Sequence, residues 1–261
     1  MNVSLEGKNA VICGSTQGIG LAIARVFAEQ GARCFLLARN EAVLQEIIPQ
    51  LSAKFDQKHQ YRVADFSSPW QVKEVINEIC SEFSIHILVN NTGGPPAGPI
   101  TEASEDAFLS AFNQHLISSH LLTQAVIPCM RSASYGRIIN IISTSVRTPL
   151  PNLGVSNTIR GAVASWAKTL SLELGEFGIT VNNVLPGYTE TARLKSLIEL
   201  KASEKGISEE EVKKSMVSDI PMKRFGKAAE TAAVVGFLAS PAASYVNGVS
   251  IPVDGGRTGT I

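Results

Sequence analysis

The 261-residue chain predicts an α/β fold, a doubly wound parallel sheet of about seven strands with helices on both faces. Three observations carry this. Strand and helix signals alternate along the whole length. The strands read as near-continuous apolar runs, as strands covered on both faces do. The first strand runs through a glycine-rich turn into a periodic apolar helix, the layout of a phosphate-binding βα unit.

That first unit is Ala10-Val11-Ile12-Cys13 followed by Gly14, Gly18 and Gly20, with Leu21, Ile23, Ala24, Val26 and Phe27 on the helix. Glycines let the backbone turn tightly and let a phosphate approach without a Cβ in the way. The spacing is G-x-x-x-G-x-G, not the commoner G-x-G-x-x-G, and taken alone it also fits a merely tight turn. Further strands are expected at Cys34–Ala38, Tyr61–Ala64, Ile85–Val89, Arg137–Ile142, Ile179–Leu185 and Val249–Val253. Helices are expected at Glu41–Phe55, Ser68–Phe83, Ser104–Met130, Asn152–Phe177 and Lys227–Ala239. The charged stretch 191–218 reads as a solvated helical excursion. No Pro/Gly/Ser linker splits the chain, so residues 1–261 are expected to form one domain.

Composition narrows the function classes. Twenty-three basic residues balance 23 acidic ones, with no basic run, so nucleic-acid binding is not indicated. No apolar stretch has membrane-spanning length and the first residues lack a signal-peptide layout, so a cytoplasmic protein is expected. Cys13, Cys34, Cys80 and Cys129 form no C-x-x-C pair and read as reduced, buried thiols; no metal site is expected.

In doubly wound sheets, ligands sit at the carboxyl ends of the strands. Here those ends carry Gly14 to Gly20, Arg39, Asp65, Asn90 to Gly93, Ser143 and Pro186-Gly187. Their convergence on one rim points to a dinucleotide. Arg39 stands where an acidic residue would bind the ribose 2′-hydroxyl of NAD; a guanidinium suits a 2′-phosphate, so NADP(H) is favoured over NAD(H). The alternative is a surface arginine.

With these residues the chain resembles the short-chain dehydrogenase/reductase family over essentially its full length. Gly14, Gly18 and Gly20 match its glycine motif, Asp65 its adenine-contacting aspartate, and Asn90-Asn91-Thr92-Gly93 its N-N-A-G. Pro186-Gly187 matches the loop beside the nicotinamide, and the tail from Ser244 through Asp254-Gly255-Gly256 the last strand. The chain looks most like the 3-oxoacyl-carrier-protein reductase type, in a divergent subgroup with Thr-Gly-Gly-Pro-Pro at 92–96. The resemblance implies a Rossmann-type fold, a small-molecule or acyl-thioester substrate, a substrate lid over 191–218 and a homotetramer or dimer. It implies cofactor contacts from Gly14, Ser15, Thr16, Gln17, Gly18, Ile19 and Gly20, then from Arg39, Asp65, Phe66, Asn91, Gly93, Arg160, Pro186, Gly187, Thr189 and Thr191.

The catalytic residues match only in part. Ser143 falls at the family's catalytic serine. The family's tyrosine, 13 residues on, and its lysine, four beyond, correspond to Ser156 and Arg160, and its helix asparagine to His115. In the family the phenol protonates a carbonyl oxygen and the lysine lowers its pKa. A serine lacks the ring that delocalises a phenolate, and a guanidinium does not titrate. His115 has the pKa range of a replacement acid or packs across a helix interface. Tyr188 is the only phenol placed near the site, as acid or as lining of the substrate pocket; Ser143 is a donor to a carbonyl or a strand-end cap. Ser156 and Arg160 are then remnants or cofactor contacts. Two functions follow: an NADP-dependent oxidoreductase with rebuilt acid chemistry, or a catalytically silent nucleotide-binding or interaction protein on the same fold.

Overall fold

The computed structural model describes residues 1–259. Seven parallel strands form one sheet: β1 (Asn9–Cys13), β2 (Arg33–Ala38), β3 (Gln60–Val63), β4 (Ile87–Asn90), β5 (Gly136–Ile141), β6 (Ile179–Pro186) and β7 (Ser250–Val253). Their order is β3-β2-β1-β4-β5-β6-β7. Connections run outward in one direction from β1 and in the other from β4, so the topological switch lies between them. β1 sits in register with both neighbours, Ala10 opposite Cys34 on one side and Ile87 on the other.

Side-chain alternation splits the core in two. Ala10, Ile12, Leu36 and Val89 point to one face and meet α1 (Gly18–Glu29), α2 (Glu41–Ile47) and α9 (Ala228–Ala239). Val11, Cys13, Leu37 and Leu88 point to the other and meet α3 (Pro69–Glu82), α5 (Ser118–Ser132) and α6 (Gly154–Leu174). Both faces are apolar, which is why the strands lack a period-two polar pattern.

Three elements depart from expectation. The helix from Glu41 stops at Ile47 and passes into a tight turn at Ile48–Gln50, because Pro49 has no N–H for the helical ladder. The helix expected over Ser104–Met130 is two, α4 (Glu105–Phe112) and α5, joined by a wide π turn at Asn113–Ile117. The 191–218 stretch forms α7 (Ala192–Lys205) and α8 (Glu209–Ser218) and has a small core of its own, in which Leu194, Ile198, Val212 and Met216 bury one another against Tyr188 and Phe225. A capping box between Ser208 and Glu211 starts α8.

All four cysteines are free. Cys13 and Cys34 are buried, and burial pushes the Cys13 thiol up to about 12. Cys80 of α3 and Cys129 of α5 are only half-buried, and their interaction holds the Cys129 thiol below its ordinary value, a pairing their separation in sequence conceals. Among the described residues no helix is long and apolar enough to cross a membrane, and no cluster of His, Cys, Asp and Glu could hold a metal ion.

Candidate active site

The strand ends open into a cleft of about 600 Å³ at the switch point. Its outer half is the glycine turn. Gly14 has φ +58°, and a Cβ there would stand 2.5 Å from the Asn91 carbonyl oxygen. A Cβ on Gly20 would stand 2.1 Å from the Gly14 carbonyl oxygen, so that glycine lets α1 pack against the turn. Asn91 Nδ2 donates to the carbonyls of Cys13 and Gly14, both at 3.2 Å, and ties the loop after β4 to the turn after β1. At the start of α1, Gln17 is extended and its side chain makes no capping bond, which leaves the first N–H groups turned to the cleft for an anion.

Thr16, Gln17, Gly18 and Ile19 line this half, with Arg39, Asp65 and Phe66 beyond. Burial pushes the Asp65 carboxyl up, but hydrogen bonds from Ser67 and the Arg39 charge more than offset it, and the net shift is downward. Two of the expected cofactor contacts lie elsewhere. Ser15 is fully buried with its hydroxyl on the Leu37 carbonyl at 3.4 Å, and Gly20 packs beneath Gly14 without facing the cleft.

The inner half gathers Asn91, Gly93, Ser143, Ser156, Arg160, Pro186, Gly187, Tyr188, Thr189 and Thr191. Ser143, two residues past the end of β5, is extended and accepts from the Ser145 N–H at 3.1 Å, so it both caps the following turn and faces the cleft. Ser156 and Arg160 stand one helical turn apart on α6. Arg160 Nη1 donates to the Ile141 carbonyl at 2.7 Å. Its Nε is buried without a partner, and burial, with the Arg193 charge second, pushes the guanidinium down to about 10. Thr191 caps α7 by accepting from the Leu194 N–H. The Tyr188 hydroxyl is engaged by Arg257 Nη2 at 3.2 Å, and its ring lies under that guanidinium, as a pocket wall would.

His115 does not join them. It sits on the π turn, 3% exposed, with Nδ1 on the Thr92 hydroxyl, and does not line the cleft. Burial, with Arg160 as second cause, pushes its pKa down to about 3. Packed against Thr92 and away from the cleft lining, it fits the helix-interface alternative better than the replacement acid.

Two features escaped the sequence reading. Arg193, in the first turn of α7, lines the cleft and donates to the Pro95 carbonyl at 2.6 Å. Beneath the cleft, buried amides form a chain: Asn90 Nδ2 donates to Asn140 at 2.9 Å, and Asn140 Nδ2 to Asn183 at 3.0 Å. Asparagines inside otherwise apolar strands were the available signal.

Fold and cleft together define a doubly wound nucleotide-binding protein with its ligand groove at the switch point. More narrowly, the chain belongs to the short-chain dehydrogenase/reductase family. Residues 14–258 match the family model described as enoyl-(acyl carrier protein) reductase. The chain is 32% identical over 257 residues to the 3-oxoacyl-[acyl-carrier-protein] reductase FabG of Vibrio cholerae, covering 97% of this chain and 98% of that protein. It is 29% identical over 259 residues to the NADPH-dependent reductase BacG of Bacillus subtilis, covering 98% and 100%. Among solved structures, L-sorbose reductase from Gluconobacter frateurii complexed with NADPH and L-sorbose superposes with a TM-score of 0.93 at 32% identity, over 100% of both chains.

Proposed function

We propose that this chain is an NADP(H)-dependent oxidoreductase of 3-oxoacyl reductase type, acting on a carbonyl or hydroxyl group of a small molecule or acyl thioester. The observation that carries the reading is one cleft holding both the bare N-terminus of α1 under its glycine turn and Arg39 beside Asp65. The first suits a pyrophosphate, the second a 2′-phosphate. The cofactor is NADP(H), in keeping with the NADPH that the sorbose reductase structure and the name of BacG record. When bound, it supplies or accepts hydride.

The remaining work falls to the chain. Ser143 and Ser156 bring hydroxyls to the inner half, where they can hydrogen-bond a carbonyl oxygen and orient it. Arg160 faces the same space as a fixed cation. Ser156 and Arg160 stand in the places of the family's tyrosine and lysine. Positioned acid catalysis typically contributes ~10²–10⁴ in rate, and with no phenol at position 156 the proton would come from water held by the Ser143 and Ser156 hydroxyls. Helices α7 and α8 serve as the substrate lid, and residues 1–261 act as one unit.

A second reading, a nucleotide-binding protein without turnover, is favoured by one observation: His115, at the position of the family's helix asparagine, is buried and does not line the cleft. NADPH titration followed by hydride transfer over a panel of ketones, 3-oxoacyl thioesters and alcohols separates the two. Binding with turnover supports the first reading. Binding without turnover on any member supports the second, and absence of binding overturns both. A homotetramer or dimer in the cytoplasm completes the proposal, supported by the exposed Leu109 and Phe112 on α4 and Leu172 on α6.

A further inference from the structure

Arg160 and Arg193 both approach Gly94, each with Nη2 3.7 Å from the point where a Cβ on that glycine would stand. They reach it from different elements, α6 and the first turn of α7. Both line the inner half of the cleft, where Asp65, at the outer end, is the sole carboxylate among the lining residues. No ion pair joins either arginine to an acid among the described residues. Each spends one N–H on a backbone carbonyl, Ile141 for Arg160 and Pro95 for Arg193, which fixes the guanidinium without neutralising it. Arg160 keeps a buried Nε with no partner, and an unmet buried donor is costly.

Arg193 is also at the wrong end of its helix. A cation in the first turn meets the positive pole of the helix, and α7 has no acidic residue there to offset it. Like charges brought together in a partly buried cleft, at a helix start that repels them, are a standing cost that an anionic ligand would reverse. The cofactor's own anions have other places. The pyrophosphate is matched by the α1 N-terminus and the 2′-phosphate by Arg39, while a ribose diol needs no second cation.

We propose that Arg160 and Arg193 bind a carboxylate of the substrate, which makes the substrate an oxo acid or the corresponding hydroxy acid, its carboxylate held near Gly94 and its reacting carbon toward Ser143 and Ser156. The inference rests on the reading of the cleft as an NADP(H) site. A guanidinium pair matches the two oxygens of a carboxylate with directed, charge-assisted hydrogen bonds, and a phosphate would be held by the same chemistry.

Calorimetric titration of NADP⁺-saturated protein tests this with pyruvate, 2-oxohexanoate and phenylglyoxylate, each beside its methyl ester, and with inorganic phosphate. The oxidised cofactor prevents reduction of the keto group during the measurement. At least one acid should bind about tenfold more tightly than its ester, a margin that one charge-assisted hydrogen bond supplies. Arg193→Gln should bring acid and ester within about twofold while shifting the NADP⁺ Kd by less than about twofold, and Arg193→Lys should restore part of the preference. The proposal is overturned if no acid binds better than its ester, if phosphate alone binds, or if Arg193→Gln weakens NADP⁺ and leaves the acid preference intact. If NADP⁺ itself does not bind, the underlying reading fails and this inference with it; NADP⁺ binding without acid preference removes the inference alone.

Discussion

The Thr92 hydroxyl and His115 Nδ1 share a hydrogen bond of 2.5 Å that joins the loop after β4 to the π turn between α4 and α5. The bond belongs to a neutral imidazole. Unfolded, His115 takes up a proton below 6.5; folded, it resists until about 3. Across that window the unfolded chain binds more protons, so stability falls as pH drops, by ~1.4 kcal/mol per pH unit for this group. His115→Gln should flatten the decline between pH 6.5 and 5, measured by urea unfolding. His59 and His86 are shifted the same way but are present in both proteins, so the difference isolates His115. Parallel stability curves would contradict the buried neutral histidine.

Arg39→Ala should weaken NADPH binding by ~1.5–3 kcal/mol, the contribution of a charged hydrogen bond, and leave NADH nearly unchanged. Fluorescence titration of both cofactors against both proteins measures this. Equal affinity of the parent for NADPH and NADH would refute the assignment of the 2′-phosphate to Arg39.

The glycines of the turn should separate by experiment. Gly18 has φ +54°, and a Cβ there would lie 3.1 Å from the Thr191 methyl. Gly18→Val should strain the turn by ~1–3 kcal/mol and block the phosphate path, giving a folded protein that does not bind NADPH. Gly20→Ala meets backbone and should lose the fold, seen as a collapsed thermal transition. A Gly18→Val protein that folds and binds NADPH normally would move the cofactor out of this turn.

Asn140 lies at the centre of the amide chain, fully buried, with Asn90 on one side and Asn183 on the other. Asn140→Ala strands a donor on Asn90 and an acceptor on Asn183, at ~1–3 kcal/mol each. Thermal unfolding should show a drop of several degrees. Unchanged stability would mean that the chain contributes nothing net to the sheet.

Why the sequence revealed some of this and not the rest follows from range. The glycine turn, the strand ends and Arg39 are local: neighbours in the chain are neighbours in the cleft, and strand ends share one rim by topology. The His115 side chain was harder to place, because five residues of π turn rotate it away from the register a continuous helix would give. Pro49 carried a readable stop signal for α2 that the apolar periodicity beyond it obscured. Arg193 was hidden in a segment whose charge suggested a solvated face, and its partner Arg160 is on another element. Contacts of that kind depend on three-dimensional packing that composition does not encode.

Position 156 offers a direct test of the missing phenol. Both Ser156 and Arg160 face the cleft, so a tyrosine at 156 would enter open space and not the packed core. Ser156→Tyr with Arg160→Lys should therefore fold, at a cost of at most ~1–3 kcal/mol from local crowding. The lysine must release the Ile141 carbonyl, to which Arg160 Nη1 now donates at 2.7 Å, if its ammonium is to lie beside the new phenol. Were it to do so, the phenol pKa would fall and a positioned acid would return. The rate on 3-oxoacyl thioesters should then rise above the parent's, up to the ~10²–10⁴ that such an acid contributes. Ser156→Tyr alone should gain less, because Arg160 stays tied to Ile141. A double variant that folds, binds NADPH and is no faster than the parent would show that the parent's chemistry never lacked a phenol, and that Ser156 and Arg160 serve a different substrate.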